Sequence, residues 1–326
     1  MDVRLQQLHH WLQHTLTLPN YTLAPASSDA SFRRYFRIQY AGCSQIVMDA
    51  PPAHEDCRPF ITIATAFKAV GLHVPEVLAQ NLDAGFLLLT DLGSQQYLGA
   101  LNARSVTTLY GDALAALARL QIGGQRAPLL LPGYDRALLQ REMALFSDWF
   151  LERHLGLTLT PAEQGVLQGT FDRLIESALE QPTVWVHRDY HSRNLMVCDH
   201  HNPGVLDFQD AVMGPITYDL VSLLRDCYIA WPAARVEQWV GEYYDRIKGE
   251  VDLNGASRAD FVRWFDLMGV QRHLKAIGIF VRLHLRDGKP GYLNDIPRTL
   301  GYVREVAQRY EELTPFYRLI QERVCG

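Results

Sequence analysis

Val184-Trp185-Val186-His187-Arg188-Asp189-Tyr190-His191-Ser192-Arg193-Asn194-Leu195-Met196-Val197, followed by Gly204-Val205-Leu206-Asp207-Phe208-Gln209-Asp210, is a β-rich island in a stretch of otherwise helical period. An apolar strand runs into His-x-Asp, Asn194 follows after four intervening residues, and a second strand pair delivers Asp207-Phe208. Each residue type has a chemical use in such a loop. Asp189, at the end of a strand, can accept the proton of an attacking hydroxyl. Asn194 offers an amide oxygen and Asp207 a carboxylate, the hard donors that Mg2+ prefers. Any one of these acids alone reads as a solvated loop residue or a cap; their combined spacing singles them out. His187 reads as support for the loop backbone. Asp219, after Tyr218, reads as a cap or brace of the same loop. Asp210 stands open between a substrate or second-metal contact and a structural hydrogen bond.

Outward from the island, residues 1–18 carry Leu5, Leu8, Trp11, Leu12 and Leu16 at helical spacing. From Tyr21 to Asp49 the period changes to two: Phe32, Phe36 and Ile38 share one face, and Arg33, Tyr35 and Arg37 the other. Ala41-Gly42 predicts a turn, Ser44–Asp49 the next strand, and Asp56 the N-cap of a helix that runs to Val70 and stops at Gly71. Short strands at Val77–Ala79 and Phe86–Leu89 complete a small sheet. Beyond Thr90-Asp91-Leu92-Gly93 the period is helical over 104–121, 134–154, 161–180, 215–229, 233–249, 258–285 and 295–323. The expected organisation is a β-rich lobe over 1–90 and a larger, mainly helical lobe over 91–326.

At 326 residues the chain exceeds the roughly 250 at which single cores divide. Its net charge of −5, with 31 basic against 36 acidic residues, argues against a nucleic-acid binder. Five cysteines without a CxxC pair argue against a disulfide scaffold or a zinc cluster and favour a reducing compartment. The N-terminus lacks the apolar core of a signal peptide, and no apolar run is long enough to span a bilayer, so a cytoplasmic protein with no membrane partner is expected. Oligomeric state is not legible.

The spacing of His187–Asn194 and Asp207-Phe208 is that of the catalytic and metal loops of the protein-kinase-like fold. The chain resembles the aminoglycoside phosphotransferase and choline kinase family, and within it the bacterial anomeric amino-sugar kinases. Further segments that carry the resemblance are Ser28–Arg37, Val47–Pro52, Asp207–Ala211 with Gly214-Pro215, and Gln271–Lys275. The resemblance implies an α+β bilobal fold with a small antiparallel-sheet N-lobe and a larger helical C-lobe. It also implies Mg2+-dependent transfer of the γ-phosphate of ATP to the anomeric hydroxyl of N-acetylmuramate or N-acetylglucosamine, in the recycling of cell-wall sugars.

Two departures from the wider kinase pattern bear on the nucleotide. There is no Gly-x-Gly-x-x-Gly loop; Ser27–Ser31 takes its place, with backbone N–H groups, that of Ser31 among them, available to phosphate. The strand Ser44–Asp49 has no lysine, and Lys68, alone in the first lobe, lies in the following helix. Arg33, Arg34 or Arg37 is therefore expected to neutralise the phosphates. Adenine is expected against the backbone of Leu89, Thr90, Asp91 and Leu92.

For the amino-sugar acceptor, a carboxylate calls for a cation, and Arg188, Arg193, Arg272 and His273 are the candidates. The helix 270–285 carries Val270, Leu274, Ile277, Val281 and Leu285 on one stripe and Arg272, Lys275, Arg282 and Arg286 on another, which reads by default as a solvated face. Trp149, Trp231 and Tyr228 could stack on a sugar ring or belong to the core. Two other functions fit the same loops: phosphotransfer to an aminoglycoside, choline-like or homoserine-like alcohol, and nucleotide binding by a pseudokinase. The net basic character of 270–288 leans away from a polycationic acceptor, and the presence of Asp189, Asn194 and Asp207 leans away from a pseudokinase.

Overall fold

The computed structural model describes residues 2–18, 20–27 and 32–325. Ser31, with the rest of the Ser28–Ser31 stretch, lies outside the described residues. The chain opens with α1 (Val3–His10), which continues as a wider turn over Trp11–Thr15. Five strands follow, β1 (Thr22–Ser27), β2 (Arg34–Tyr40), β3 (Cys43–Asp49), β4 (Val77–Asn81) and β5 (Phe86–Thr90), with α2 (Cys57–Ala69) between β3 and β4. They form one antiparallel sheet in the order β1-β2-β3-β5-β4. Ala41 and Gly42, both at positive φ, make the β2–β3 turn. Asp56 caps α2 by accepting from the Arg58 N–H at 2.9 Å, and Gly71 leaves the helix at φ +87°.

The period of two fixes what each face of the sheet meets. Phe36, Ile38, Val47, Phe86 and Leu88 pack on Leu8, Trp11 and Leu12 in a core of their own. Met48, Leu87 and Leu89 face the other way and join Phe60, Ile63 and Phe67 of α2 in the main core. That core continues without interruption into the rest of the chain: the Phe60 and Phe67 rings lie 4.8 and 5.8 Å from the Phe208 ring.

The remainder comprises α3 (Tyr97–Ala100), α4 (Val106–Arg126), α5 (Arg136–Leu145, extended by a wider turn over Phe146–His154) and α6 (Pro161–Leu179). The short strands β6 (Thr183–Val186), β7 (Leu195–Met196), β8 (Gly204–Val205) and β9 (Val212–Pro215) come next. Then follow α7 (Tyr218–Leu224), α8 (Ala233–Ile247), α9 (Arg258–Leu285), α10 (Ile296–Arg309) and α11 (Thr314–Arg323). Strands β6–β9 and β7–β8 pair separately, and they hold the island open as two loops. No helix among the described residues is long and apolar enough to cross a membrane.

Three helical expectations are corrected. The single helix over 295–323 is two, separated where Tyr310 turns extended (φ −108°, ψ 122°); Pro315 sits in the first turn of α11, where a missing N–H costs a new helix nothing. The helix over 215–229 is only α7, since Arg225 leaves helical geometry. The basic stripe of α9 is no solvated face: Arg272 and Lys275 are buried, while Leu285 is 48% exposed. This helix of 28 residues runs through the middle of the lobe, touching α5, α6, α7 and α10. At Gly278 a Cβ would lie 2.4 Å from the backbone of Leu145, so the absence of a side chain there lets α9 and α5 close up.

Candidate active site

The loop between β6 and β7 is shaped by buried polar groups. Asp219 of α7, fully buried, accepts the N–H of His187 at 2.6 Å and that of Arg188 at 3.0 Å. Arg188 is thereby held at φ +78°, a left-handed turn that aims Asp189 out of the strand. Burial lifts the Asp219 carboxyl to about 7, against the two N–H bonds that favour its charge. His187, also fully buried, donates Nε2–H to the Leu206 carbonyl at 2.9 Å and accepts the Asp189 N–H on Nδ1 at 3.2 Å. Burial lowers its pKa to about 4, so the neutral ring stitches the catalytic loop to the metal loop. Further on, Asp226 accepts the N–H groups of Ser192 (2.9 Å) and Tyr228 (2.8 Å).

Asp189, Asn194 and Asp207 come together at these loops. The Asn194 Nδ2 group donates to the Asp189 carbonyl at 3.0 Å and approaches Asp207 Oδ2 at 3.4 Å. Its amide nitrogen is thus taken, and its oxygen is left to face a ligand. Asp207 sits at φ +62°, exposed, with Gln209 Nε2 donating to its Oδ1 at 2.8 Å. One amide oxygen and one carboxylate fit Mg2+, which takes one or two side chains and fills its shell with water and phosphate oxygens. Among the described residues no group donates to the half-buried Asp189 carboxylate, so its oxygens are available to a hydroxyl. Burial raises its pKa, but Lys275, His191 and Arg272 outweigh that, and the group lies below its ordinary value.

A second buried cluster stands behind the loop. Glu142 of α5 holds Arg188 Nη2 at 2.5 Å and Lys275 Nζ at 3.0 Å through one oxygen, and the Tyr134 hydroxyl through the other. Lys275 also donates to the Tyr218 hydroxyl at 2.9 Å. Burial pushes Glu142 up and Lys275 down, yet the ion pairs prevail: Glu142 is lowered and Lys275 raised.

The remaining sequence candidates fall in different places. Arg188, expected at the acceptor, is committed to Glu142. His273, expected beside it, is buried, bonds the Arg225 carbonyl at 2.9 Å and stacks on Tyr302 with ring centroids 5.0 Å apart. Arg272 lies close enough to Asp189 to lower its pKa, Arg193 lies over the Tyr228 ring beside His191, and Asp210 is exposed on the metal loop. Arg37, expected at phosphate, pairs with Asp91 at 2.6 Å and with the Gly93 carbonyl at 2.8 Å, which clasps the segment between the lobes. Arg34 is bound to the buried Asp49, while Arg33 pairs with Glu55 at 3.1 Å. Leu89, within β5, and Leu92, two residues beyond it, are buried. Trp231 belongs to a cluster with Tyr110 and Trp239, whereas Tyr228 faces the loop. Glu142 and Asp226 escaped the sequence reading. For Glu142 a signal existed: it is a lone acid on the same helix face as Leu139, Met143 and Phe146, all buried.

A two-loop site of this construction on this fold defines a phosphotransferase of the protein-kinase-like class. The model of the phosphotransferase enzyme family matches residues 22–252, and the chain belongs to that family. It is similar to the N-acetylmuramate/N-acetylglucosamine kinase of Pseudomonas putida, at 50% identity over 100% of this chain and 98% of the relative. The kinase of the same name from Neisseria meningitidis is 42% identical over 98% and 95%. Among solved structures, choline kinase LicA from Streptococcus pneumoniae shares the fold with a TM-score of 0.62 at 13% identity, covering 92% of this chain and 99% of that one. The ADP-bound aminoglycoside phosphotransferase APH(2'')-Ib does so with a TM-score of 0.59 at 13% identity, covering 94% and 99%.

Proposed function

We propose that this enzyme transfers the γ-phosphoryl group of ATP to the anomeric hydroxyl of N-acetylmuramate and N-acetylglucosamine, in the cytoplasm, returning cell-wall sugars to metabolism. The observation that carries the reading is a carboxylate, Asp189, to which no group among the described residues donates, one residue-to-residue contact away from the Asn194–Asp207 pair. The full-length similarity to kinases of that name supports the substrate class.

Asp189 orients the acceptor hydroxyl and accepts its proton. Asn194 and Asp207 hold Mg2+, which when bound neutralises charge on the triphosphate. Asp219 and His187 fix the loop, and Glu142 fixes Arg188. Residues 1–90 bear the nucleotide, with adenine against Leu89–Leu92 and Arg33 near the phosphates, and residues 91–326 bear the acceptor. Incubating the protein with magnesium-ATP and a panel of amino sugars, aminoglycosides and choline, then reading the products by phosphorus NMR, tests this. A phosphate on the anomeric carbon of both sugars is expected. No turnover of either sugar, or phosphate at another position, overturns it. Asp189→Asn is expected to lower kcat at least about 1,000-fold with nucleotide affinity retained.

A further inference from the structure

Two guanidinium groups lie near the catalytic loop, Arg272 beside Asp189 and Arg193 beside His191, and among the described residues neither is ion-paired with a carboxylate. Arg272 of α9 is 6% exposed, yet its one hydrogen-bond partner is the Cys227 thiol, Sγ at 3.8 Å, and its buried Nε has none among the described residues. Arg193, half-buried, lies flat over the Tyr228 ring, 3.7 Å from its centroid, with Tyr292 at 5.5 Å. Consecutive residues, Cys227 and Tyr228, thus carry both cations. Their backbone is pinned by Asp226, which accepts the Tyr228 N–H, and the Tyr228 ring is wedged edge-on against His191 at 5.3 Å. Nδ1 of His191 is buried without a partner. Asp295, the acid that faces Arg193, is itself paired with Arg298 at 3.1 Å.

A buried cation is retained at a cost unless an anion answers it. Asp189 and Asp226 lie in the field of Arg272 and Asp295 in that of Arg193, but among the described residues no carboxylate reaches ion-pair distance of either. Resting on the reading of this chain as an amino-sugar kinase, we propose that Arg193, clamped on Tyr228 and backed by Arg272, binds the lactyl carboxylate of N-acetylmuramate and sets the preference between the two sugars. The two sugars differ only in that group, an ether on C3, two ring carbons from the anomeric centre. Stacking immobilises the guanidinium plane and leaves its N–H edge for a carboxylate fork. Arg272, almost closed off, acts on Asp189 and on the field instead.

The test compares kcat/KM of the wild type and of Arg193→Gln and Arg193→Lys for N-acetylmuramate, its lactyl amide and N-acetylglucosamine. Replacing the carboxylate by the amide is expected to cost the wild type about 10- to 100-fold. Arg193→Gln is expected to lower the N-acetylmuramate to N-acetylglucosamine ratio by the same factor and to bring acid and amide within about threefold of one another. Arg193→Lys is expected to fall between, since it keeps charge and loses the fork. Equal losses for all three substrates in Arg193→Gln, or an amide as good as the acid in the wild type, overturn the assignment while leaving the kinase reading intact. Failure of the wild type to phosphorylate either sugar removes both.

Discussion

Replacing Glu142 by glutamine keeps the shape of the side chain and removes the charge that two cations share. Arg188 and Lys275 are then left together, with side chains only 20% and 10% exposed. Breaking a buried ion pair by deleting one partner costs about 3–5 kcal/mol. Lys275 keeps the Tyr218 hydroxyl at 2.9 Å, but Arg188 keeps only the Asp210 carbonyl at 3.5 Å, so the middle of the range is expected, about 4 kcal/mol. At about 2–4 °C per kcal/mol for a chain of this size, the melting temperature of Glu142→Gln falls by about 8 °C or more. Calorimetry and urea unfolding read this directly. Lys275→Met removes one stranded cation, so the double variant is expected to lose less than the two single losses added, with a coupling of about 1 kcal/mol or more. A melting temperature within about 2 °C of the wild type in Glu142→Gln, or strict additivity in the double variant, refutes the view that this cluster is held by its charges.

Two further outcomes are expected. The folded pKa of His187, about 4, lies below its unfolded value, so the unfolded chain takes the proton first. Its contribution, about 3 kcal/mol, is therefore present above about pH 6.5 and lost as the pH falls toward 4; nitrogen NMR of the imidazole at pH 5.5 is expected to find a neutral ring, and a charged one there refutes the stitch between the loops. Asp207→Asn removes the carboxylate of the proposed metal pair and is expected to raise the Mg2+ concentration for half-maximal rate about tenfold or more; an unchanged magnesium dependence refutes the role of Asp207.

What was legible from the sequence was whatever depends on near neighbours. The sheet, the Ala41-Gly42 turn, the Asp56 cap and the two loops of the island all follow from period, turn chemistry and spacing within a few residues. The misreadings share a different cause. Alternation placed Arg33 and Arg37 on one strand face, but their partners, Glu55 and Asp91, come from 22 and 54 residues away, and no local pattern announces them. The basic stripe of α9 looks solvated until Glu142 and Tyr218 arrive from α5 and α7 to meet Lys275. Of the stripe, only Arg286 behaves as a surface residue, pairing with the adjacent Asp287. Helix 295–323 is a plainer lapse, because a proline at 315 is a residue of first turns and signals a second helix start in the sequence itself.

The cations around Asp189 decide what kind of base it can be. Burial lifts its pKa, and Lys275, His191 and Arg272 carry it back below the ordinary carboxylate range. So weak a base gains little from taking a proton off a hydroxyl before the reaction begins. In the proposed reaction its work is to aim the acceptor oxygen, and the proton follows as that oxygen bonds to phosphorus and becomes acidic. An anomeric hydroxyl, more acidic than other sugar hydroxyls, asks least of such a group. The same charges sort acceptors. In the proposed reaction the exposed Asp207 would meet the divalent cation, while Arg193, half-buried on Tyr228, is the cation open to an acceptor; Arg272 is nearly closed off and Lys275 is paired with Glu142. An aminoglycoside would bring several ammonium groups against Arg193. A neutral sugar, or one bearing a carboxylate, would meet no such opposition, so in the proposed reaction selectivity among alcohols is expected to follow the placement of charge.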